Sequence, residues 1–127
     1  HRVTPRARIH HISARGADPV FMLTGPIPAT RYALEKTGLS IDDIDVIEIN
    51  EAFAAVTLVS MKELGIEYDK TNVNGGAISI GHPVSVSGAR LVMTLMYELR
   101  RSGLNLGIAA LCAAGAQGDA ILIEIEE

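Results

Sequence analysis

Two segments of this sequence are apolar along nearly their whole length and end at a glycine, as helices commonly do. They cover residues 51–64, before Gly65, and residues 85–101, before Gly103. A helix that is apolar on almost every side is stable only when most of its surface is buried. A single domain of 127 residues is too small to surround two such helices. We therefore expect both helices to pack on a sheet and to contact a further layer of protein that this chain does not contain.

Short strand-forming segments alternate with the helices. The predicted strands cover residues 7–13, 46–49, 106–112 and 120–125, with another leading into a glycine-rich segment that begins at Asn72. A further helix is predicted from the Gly25-Pro26 turn through Lys36, and Asn50 is expected to cap the helix that follows it. The fold class is therefore α/β, in the order βαβαβαββ. We expect a mixed, mostly parallel sheet with helices on both faces, and a final hairpin that adds an antiparallel edge.

Composition and charge exclude several classes of partner and site. A net charge of −4 argues against nucleic acid, and no apolar run is long enough to predict a membrane span. The single cysteine excludes an internal disulfide and a cysteine-type zinc site. His10 and His11 are adjacent, so in a strand they point to opposite faces and cannot share a metal ion. No metal site is therefore expected. The chain begins at His1 without a signal-like segment, and we expect it to be a fragment.

The glycine-rich segment, residues 72–90, holds the first candidate site. It places His82 between Gly81 and Pro83, immediately before a predicted helix. Proline restricts the backbone and suits the first turn of a helix, so the imidazole is held on a stiff turn. Histidine titrates near neutral pH and is suited to proton transfer. A structural turn histidine is the alternative interpretation.

Asn50 and Cys112 are the other two candidates, since each follows or closes a predicted strand. Ligands of open α/β sheets bind beyond the carboxyl ends of the strands, so Asn50, His82 and Cys112 are expected on one rim. Singly, Asn50 is explained as a helix cap and Cys112 as a small buried apolar residue. Together, an amide, an imidazole and a thiol favour carbonyl or thioester chemistry with an oxyanion hole. The sequence has no nucleotide-binding glycine motif and no metal-ligand spacing.

Four motifs in this order resemble one known family. They are Asn50–Ala54, Asn72–Ala77, Gly81–Pro83 with Ser87–Arg90, and Cys112 with Gly115, Gln117 and Gly118. Over nearly all of residues 1–127 the chain is similar to the C-terminal domain of thiolases, which are acetyl-CoA acetyltransferases and 3-ketoacyl-CoA thiolases. These enzymes make or cleave a C–C bond between acyl-CoA units through an acyl-cysteine intermediate.

The resemblance implies a role for each candidate. His82 would activate the nucleophilic cysteine and bind a thioester oxygen, and Asn50 would hold a water in the same oxyanion hole. Cys112 would be the acid/base cysteine that exchanges the α-proton. Further substrate contacts are expected from the residues near the pantetheine arm and in the loop after Cys112, namely Ala52, Phe53, Ala114 and Gly115.

The resemblance also implies partners. The nucleophilic cysteine of thiolases belongs to an N-terminal domain, whereas Cys112 matches the acid/base position, so the isolated chain is expected to be inactive. The full-length protein is expected to use acyl-CoA and CoA as substrates, without a cofactor, nucleic acid or membrane. It is expected to form a homodimer or homotetramer. A cytoplasmic location is expected, or a mitochondrial or peroxisomal one in a eukaryote.

Four residues depart from the family pattern. Thiolases usually carry glycine where Ser85, Ala114 and Ala116 stand, and alanine where Val86 stands. If Ala114 had to adopt a positive φ, backbone strain would follow. Two alternatives to a catalytic thiolase half therefore stay open. They are a non-catalytic, thiolase-like protein that binds CoA or acyl groups, and a domain whose main property is association with a partner half.

Overall fold

The computed structural model describes residues 3–126. Four strands and four helices follow one another along the chain in the order βαβαααββ: β1 (Arg8–Gly16), α1 (Pro26–Thr37), β2 (Val46–Ile49), α2 (Ala54–Leu64), α3 (Ala77–Ile80), α4 (Val84–Ser102), β3 (Leu106–Ala113) and β4 (Gln117–Glu124). Helices α1, α2 and α4 each end at a glycine in the left-handed conformation: Gly38, Gly65 and Gly103. The ends at Gly65 and Gly103 are those that the sequence predicts.

The four strands form one sheet in the order β1-β4-β3-β2. β2 is parallel to β3, whereas β4 is antiparallel to both β3 and β1. The α/β class and the mixed sheet are thereby confirmed. The expectation of a mostly parallel sheet is wrong, because one of the three strand pairings is parallel and two are antiparallel. The predicted edge position of the hairpin is wrong, because β1 pairs with the outer side of β4. The residues explain this: β4 is mostly buried and needs a neighbour on each side, whereas β1 is mostly exposed and suits an edge.

The strand predicted to lead into the glycine-rich segment is not formed; a single β-bridge between Ile47 and Thr71 stands in its place. The chain turns away from the sheet directly afterwards, because Asn72 has a φ of 47° and Gly75 a φ of 80°. These left-handed residues are incompatible with an extended strand. After this turn, residues 77–80 form the short helix α3, and the chain then returns to the sheet, where His82 lies beside Asn50.

Helices cover both faces of the sheet, as predicted. On one face α1 and α2 pack over Ile47, Ile49 and Ile108. On the other face α4 contributes Leu91, Leu95 and Leu99, which pack on residues from β2, β3 and β4. These two apolar clusters supply most of the burial that stabilises the domain.

The helix predicted from residue 51 begins later, and Asn50 is not its cap. α2 starts at Ala54, and Phe53 occupies the cap position in extended conformation, with φ −146° and ψ 153°. The cause lies in the sheet: the Asn50 N–H still donates to the Ala110 carbonyl of β3, at 2.9 Å, which prolongs the extended backbone beyond β2. The Asn50 side chain is therefore free for another role.

Both apolar helices expose part of their apolar surface. On α2, Leu58 and Val59 are 60% and 42% exposed, and on α4, Met93 and Tyr97 are 55% and 51% exposed. Contiguous exposed apolar surface is typical of a protein interface. The exposure agrees with the expectation that further protein packs against these helices. None of the helices within residues 3–126 combines the length and apolar character needed to cross a membrane.

Two glycines hold the start of α1 against the start of β4. A Cβ atom added to Gly25 would lie 2.3 Å from the carbonyl oxygen of Gln117, and one added to Gly118 would lie 2.0 Å from the carbonyl carbon of Gly25. The two backbones therefore approach so closely that neither position accepts a side chain.

We predict that Gly118→Ala separates α1 from β4 and lowers the free energy of unfolding by roughly 1–3 kcal/mol, the usual range for overpacking. Urea denaturation of the protein measures this. Gly16→Ala is the matched control, because a Cβ there meets no atom within 4 Å. Equal effects of the two substitutions would contradict the close approach.

A buried carboxylate, Glu98, ties α4 to the glycine-rich segment. Its side chain is 6% exposed. It accepts hydrogen bonds from Asn74 Nδ2 at 2.7 Å, from Ser102 Oγ at 2.6 Å and from Arg101 Nη2 at 2.8 Å. The hydrogen bonds from Asn74, Ser102 and Arg101 lower the pKa of Glu98 from 4.5 to about 2.

We predict that Glu98→Gln costs roughly 1–3 kcal/mol at pH 7, in the range of hydrogen bonds to charged groups. Because the folded pKa lies below the unfolded one, the wild-type advantage is complete above about pH 4.5 and is lost as the pH falls toward about 2. Urea denaturation of both proteins at several pH values tests this. Glu35→Gln, at an exposed position of α1, is the control and should show no such gap.

Candidate active site

The candidate site lies where β2 and β3 end. The two strands are parallel, and Ile49 pairs with Ala110. Asn50 follows β2 directly, and Cys112 lies two residues beyond Ala110 near the end of β3. The prediction that Asn50 and Cys112 share one rim of the sheet agrees with this geometry.

Asn50 and His82 are brought together, although 31 residues separate them in the sequence. Asn50 Nδ2 lies 3.4 Å from His82 Nε2. Asn50 is 1% exposed, whereas His82 is exposed. A buried amide therefore supports a histidine ring whose other side faces outward.

Ser87 determines which nitrogen of His82 carries the proton. Its hydroxyl donates to the Pro83 carbonyl at 3.1 Å, and its oxygen lies 2.6 Å from His82 Nδ1. Since the serine proton is engaged, Nδ1–H of the neutral ring donates to Ser87 Oγ. Nε2 is then left with a lone pair, facing Asn50 and the exterior. The ring is therefore prepared to accept a proton at Nε2.

Arg90 sets the orientation of the Asn50 amide. Its Nη2 donates to Asn50 Oδ1 at 3.5 Å, and its Nη1 donates to the Gly81 carbonyl at 3.2 Å. An arginine only donates, so the amide oxygen must face it and the amide nitrogen must face His82. The sequence motif Ser87–Arg90 includes both residues, but no role was predicted for either of them. Their positions in the first turns of the helix that follows Pro83 are the signal that would have found them.

Cys112 is at the same rim, but its side chain lies on the other face of the sheet from Asn50. Successive strand residues alternate between faces, and Cys112 packs against the cluster under α1 and α2, whereas Asn50 faces α4. Within residues 3–126 it makes no side-chain hydrogen bond to His82 or Asn50. It is half-buried, and this burial raises the pKa of the thiol. The sulfur is therefore protonated at neutral pH.

The loop after Cys112 carries strain at a different residue from the one expected. Ala114 does not have a positive φ, whereas Gly115 and Ala116 have φ values of 77° and 58°. The condition for strain at Ala114 is therefore not met. Ala116 is 3% exposed and its carbonyl accepts a 2.6 Å hydrogen bond from Ala17 N–H, so surrounding contacts hold the left-handed residue in place.

The remaining expected contacts surround this rim. Ala52 packs partly buried against the α1/α2 cluster, and Phe53 is 64% exposed at the start of α2. Ala114 and Gly115 are both exposed in the loop after Cys112. The substituted residues Ser85 and Val86 are exposed in the first turn of α4.

Glu51 anchors the segment that carries His82. Its carboxylate accepts hydrogen bonds from Asn72 Nδ2 at 3.0 Å and from Ile78 N–H at 2.9 Å. Gly76 leaves the room, since a Cβ there would lie 2.4 Å from the carboxylate carbon. Glu51 lies before the first residue of α2 and holds the glycine-rich segment.

The two adjacent histidines lie away from this rim. His10 is hydrogen-bonded to Glu124 at 2.7 Å, and His11 packs against the Tyr32 ring with centroids 5.8 Å apart. They diverge as the strand pattern predicts. Within the described part of the chain, no group of three or more His, Cys, Asp or Glu side chains is placed to hold a metal ion.

Comparison with known proteins gives consistent matches. The family described as thiolase, C-terminal domain, matches residues 3–125. A steroid 3-ketoacyl-CoA thiolase of Mycobacterium tuberculosis is 58% identical over 98% of this chain, and an acetyl-CoA acetyltransferase of Syntrophomonas wolfei is 50% identical over 96% of it. The chain spans 30% and 31% of those relatives.

A solved structure agrees with both relatives. The crystal structure of the Bacillus anthracis acetyl-CoA acetyltransferase superposes with a TM-score of 0.95 and 48% identity, over 98% of this chain and 32% of that one. The family match covers almost the whole chain, and the fold and the ordered motifs agree with it. The chain therefore belongs to the thiolase family and corresponds to its C-terminal domain.

Proposed function

We propose that this chain is the C-terminal catalytic half of a thiolase-type acyltransferase, which makes or cleaves 3-ketoacyl-CoA. The observation that carries the proposal is the arrangement of His82 between Ser87 and Asn50. It directs a basic imidazole nitrogen outward from the rim and places an amide N–H₂ beside it. The names of the relatives, acetyl-CoA acetyltransferase and 3-ketoacyl-CoA thiolase, support the same reaction class.

In this reaction His82 Nε2 accepts the proton of the nucleophilic thiol, and the thiolate attacks the substrate carbonyl. The imidazolium N–H is then the donor that stabilises the oxygen of a bound thioester. Asn50 supports it, either directly or through a water held by the amide. Donors fixed before the reaction stabilise developing negative charge without further reorganisation. Ser87 keeps the ring in the tautomer that this sequence of steps requires.

Cys112 is the second acid/base group of the proposal. During thiolysis the C–C bond breaks and an enolate leaves, which needs one proton at carbon. The half-buried, protonated thiol of Cys112 supplies that proton. In the condensing direction the same sulfur removes the α-proton from the acyl-CoA that becomes the nucleophile. The exposed loop after it, with Ala114 and Gly115, offers backbone N–H groups for the second oxygen.

The acyl-carrying cysteine lies outside this chain in the proposal. The chain has one cysteine, and it is already assigned to proton transfer. It spans about 30% of its relatives, which leaves room for an N-terminal domain that supplies the nucleophile. The exposed apolar sides of α2 and α4 are the surfaces against which that domain would pack. On its own the chain would be inactive.

One observation favours the non-catalytic alternative, in which the protein binds CoA or acyl groups without turnover. Ala116 stands where the family usually has glycine and adopts a left-handed φ of 58°. A residue with a Cβ in this conformation costs about 1–2 kcal/mol, and the strain lies in the loop that would donate to the substrate oxygen. Retention of Asn50, His82 and Cys112 together favours catalysis.

We predict that the full-length protein cleaves acetoacetyl-CoA in the presence of free CoA. Loss of a positioned acid or base typically costs about 10²–10⁴-fold, so Cys112→Ala and His82→Ala should each lower kcat by that amount. His10→Ala is the matched control, because His10 pairs with Glu124 near the opposite end of the sheet. Thioester absorbance measures turnover, and calorimetry measures CoA binding.

The outcomes separate the alternatives. Full-length protein that binds CoA but does not cleave the thioester would establish the binding-only function. Normal turnover by Cys112→Ala would contradict the assigned role of the thiol. Turnover by the isolated chain would contradict the placement of the nucleophile outside it.

A further inference from the structure

Glu48 is a buried carboxyl group that the proposed reaction does not use. It lies on β2, two residues before Asn50, and is 2% exposed. Because strand residues alternate, Val46, Glu48 and Asn50 share the face covered by α4. Glu48 is thus directed into the layer between the sheet and α4, directly behind the site.

Packing alone does not explain a carboxyl group at this position. Within residues 3–126, Glu48 Oε1 is buried without a hydrogen-bond partner. Burial is the main cause that raises the pKa of Glu48 from 4.5 to about 7. A leucine or methionine would fill similar space without the cost of removing a carboxylate from water. The group therefore lowers stability as the pH rises from about 4.5 to about 7.

Among the charged groups within residues 3–126 that act on Glu48, one is a cation. Arg90 and Glu98 on α4, and Glu51 in the segment after β2, act on it through their charges rather than through hydrogen bonds. Glu98 is bound to Arg101 and Asn74, and Glu51 to Asn72 and Ile78. Arg90 alone favours the charged form of Glu48.

The guanidinium of Arg90 is also the group that orients the candidate site. It donates to Asn50 Oδ1 at 3.5 Å and to the Gly81 carbonyl, next to His82, at 3.2 Å. The 3.5 Å contact is long for a hydrogen bond, so the position of the guanidinium responds to other charges nearby. Glu48 lies on the same face of β2 two residues before Asn50, so a negative charge there attracts the guanidinium toward the sheet without a direct hydrogen bond.

We propose that Glu48 is a positioning residue of this site, whose carboxylate acts on Arg90 and, through Arg90, on the Asn50 amide and the His82 turn. The inference rests on the proposed function. With Glu48 ionised, Arg90 keeps the amide oxygen of Asn50 engaged and its N–H₂ group directed at His82. Without that charge the guanidinium is free to turn toward the exposed side of α4, and the amide loses the contact that fixes its orientation.

The test is Glu48→Gln in the full-length protein, which keeps the side-chain shape and removes the charge. A small misplacement of catalytic groups costs up to about 10²-fold, so we expect kcat to fall by roughly 10- to 100-fold, with KM for CoA unchanged. In the wild type, kcat should rise as Glu48 ionises around pH 7, and the variant should lose that part of the profile. Glu35→Gln is the control, because it removes a carboxylate at an exposed position of α1, and it should keep kcat and the pH profile.

A second variant covers the case in which Glu48→Gln does not fold. Arg90→Lys keeps the positive charge but cannot donate to the Gly81 carbonyl and to Asn50 Oδ1 at once, as the two guanidinium nitrogens do. It should reproduce the fall in kcat and the altered pH profile. Wild-type kcat and pH profile in Glu48→Gln would overturn the inference. An equal fall in kcat in Glu35→Gln would also overturn it, since the effect would then not be specific to the carboxylate at Glu48.

Crystal structures of the wild type and Glu48→Gln provide a readout that does not need turnover. We expect Arg90 to leave hydrogen-bonding distance of Asn50 Oδ1 in the variant. An unchanged Arg90 would overturn the positioning role even in an active enzyme. Wild-type protein without thiolysis would instead refute the proposed function, and the Arg90 contact would still decide what Glu48 does.

Discussion

The parallel pairing of β2 with β3 is the interaction on which the rest of the site depends. It continues one step past β2, because Asn50 N–H donates to the Ala110 carbonyl. This bond delays the start of α2 to Ala54 and turns the Asn50 side chain inward, toward α4. Glu51, the next residue, then anchors the glycine-rich segment, and that segment returns His82 to Asn50. One extra residue of sheet pairing thus organises both partners.

Side-chain hydrogen bonds and charges fix the orientations of the two site residues that the backbone brings together. Ser87 fixes the tautomer of His82, and Arg90 fixes the orientation of the Asn50 amide, so that an amide N–H₂ meets the free ring nitrogen. Several hydrogen bonds stabilise the charged form of Glu98, whereas Glu48 has a buried oxygen without a partner. The same α4 layer therefore contains one carboxylate that stabilises the fold and one that costs stability beside the site.

Much of the fold was predictable because glycine and proline act locally. Gly65 and Gly103 end helices as expected, and the alternation of strands with helices predicted that helices cover both faces of the sheet. The position of β4 inside the sheet depended on which strand β1 would pair with, a long-range choice that local patterns do not encode. The delayed start of α2 had the same origin, since a hydrogen bond to β3 overrode the capping preference of Asn50.

The site residues were predictable as types but not as contacts. His82, Asn50 and Cys112 were identified from motif and position, yet nothing local indicated that Arg90 would bind Asn50, or that strain would fall on Ala116 rather than Ala114.

The most direct test of the account is a crystal structure of the full-length protein with a bound CoA thioester. We predict that the thioester oxygen lies about 2.7–3.1 Å from His82 Nε2, with the Asn50 amide, or a water held by that amide, beside it. A thioester carbonyl bound away from His82 would contradict the account.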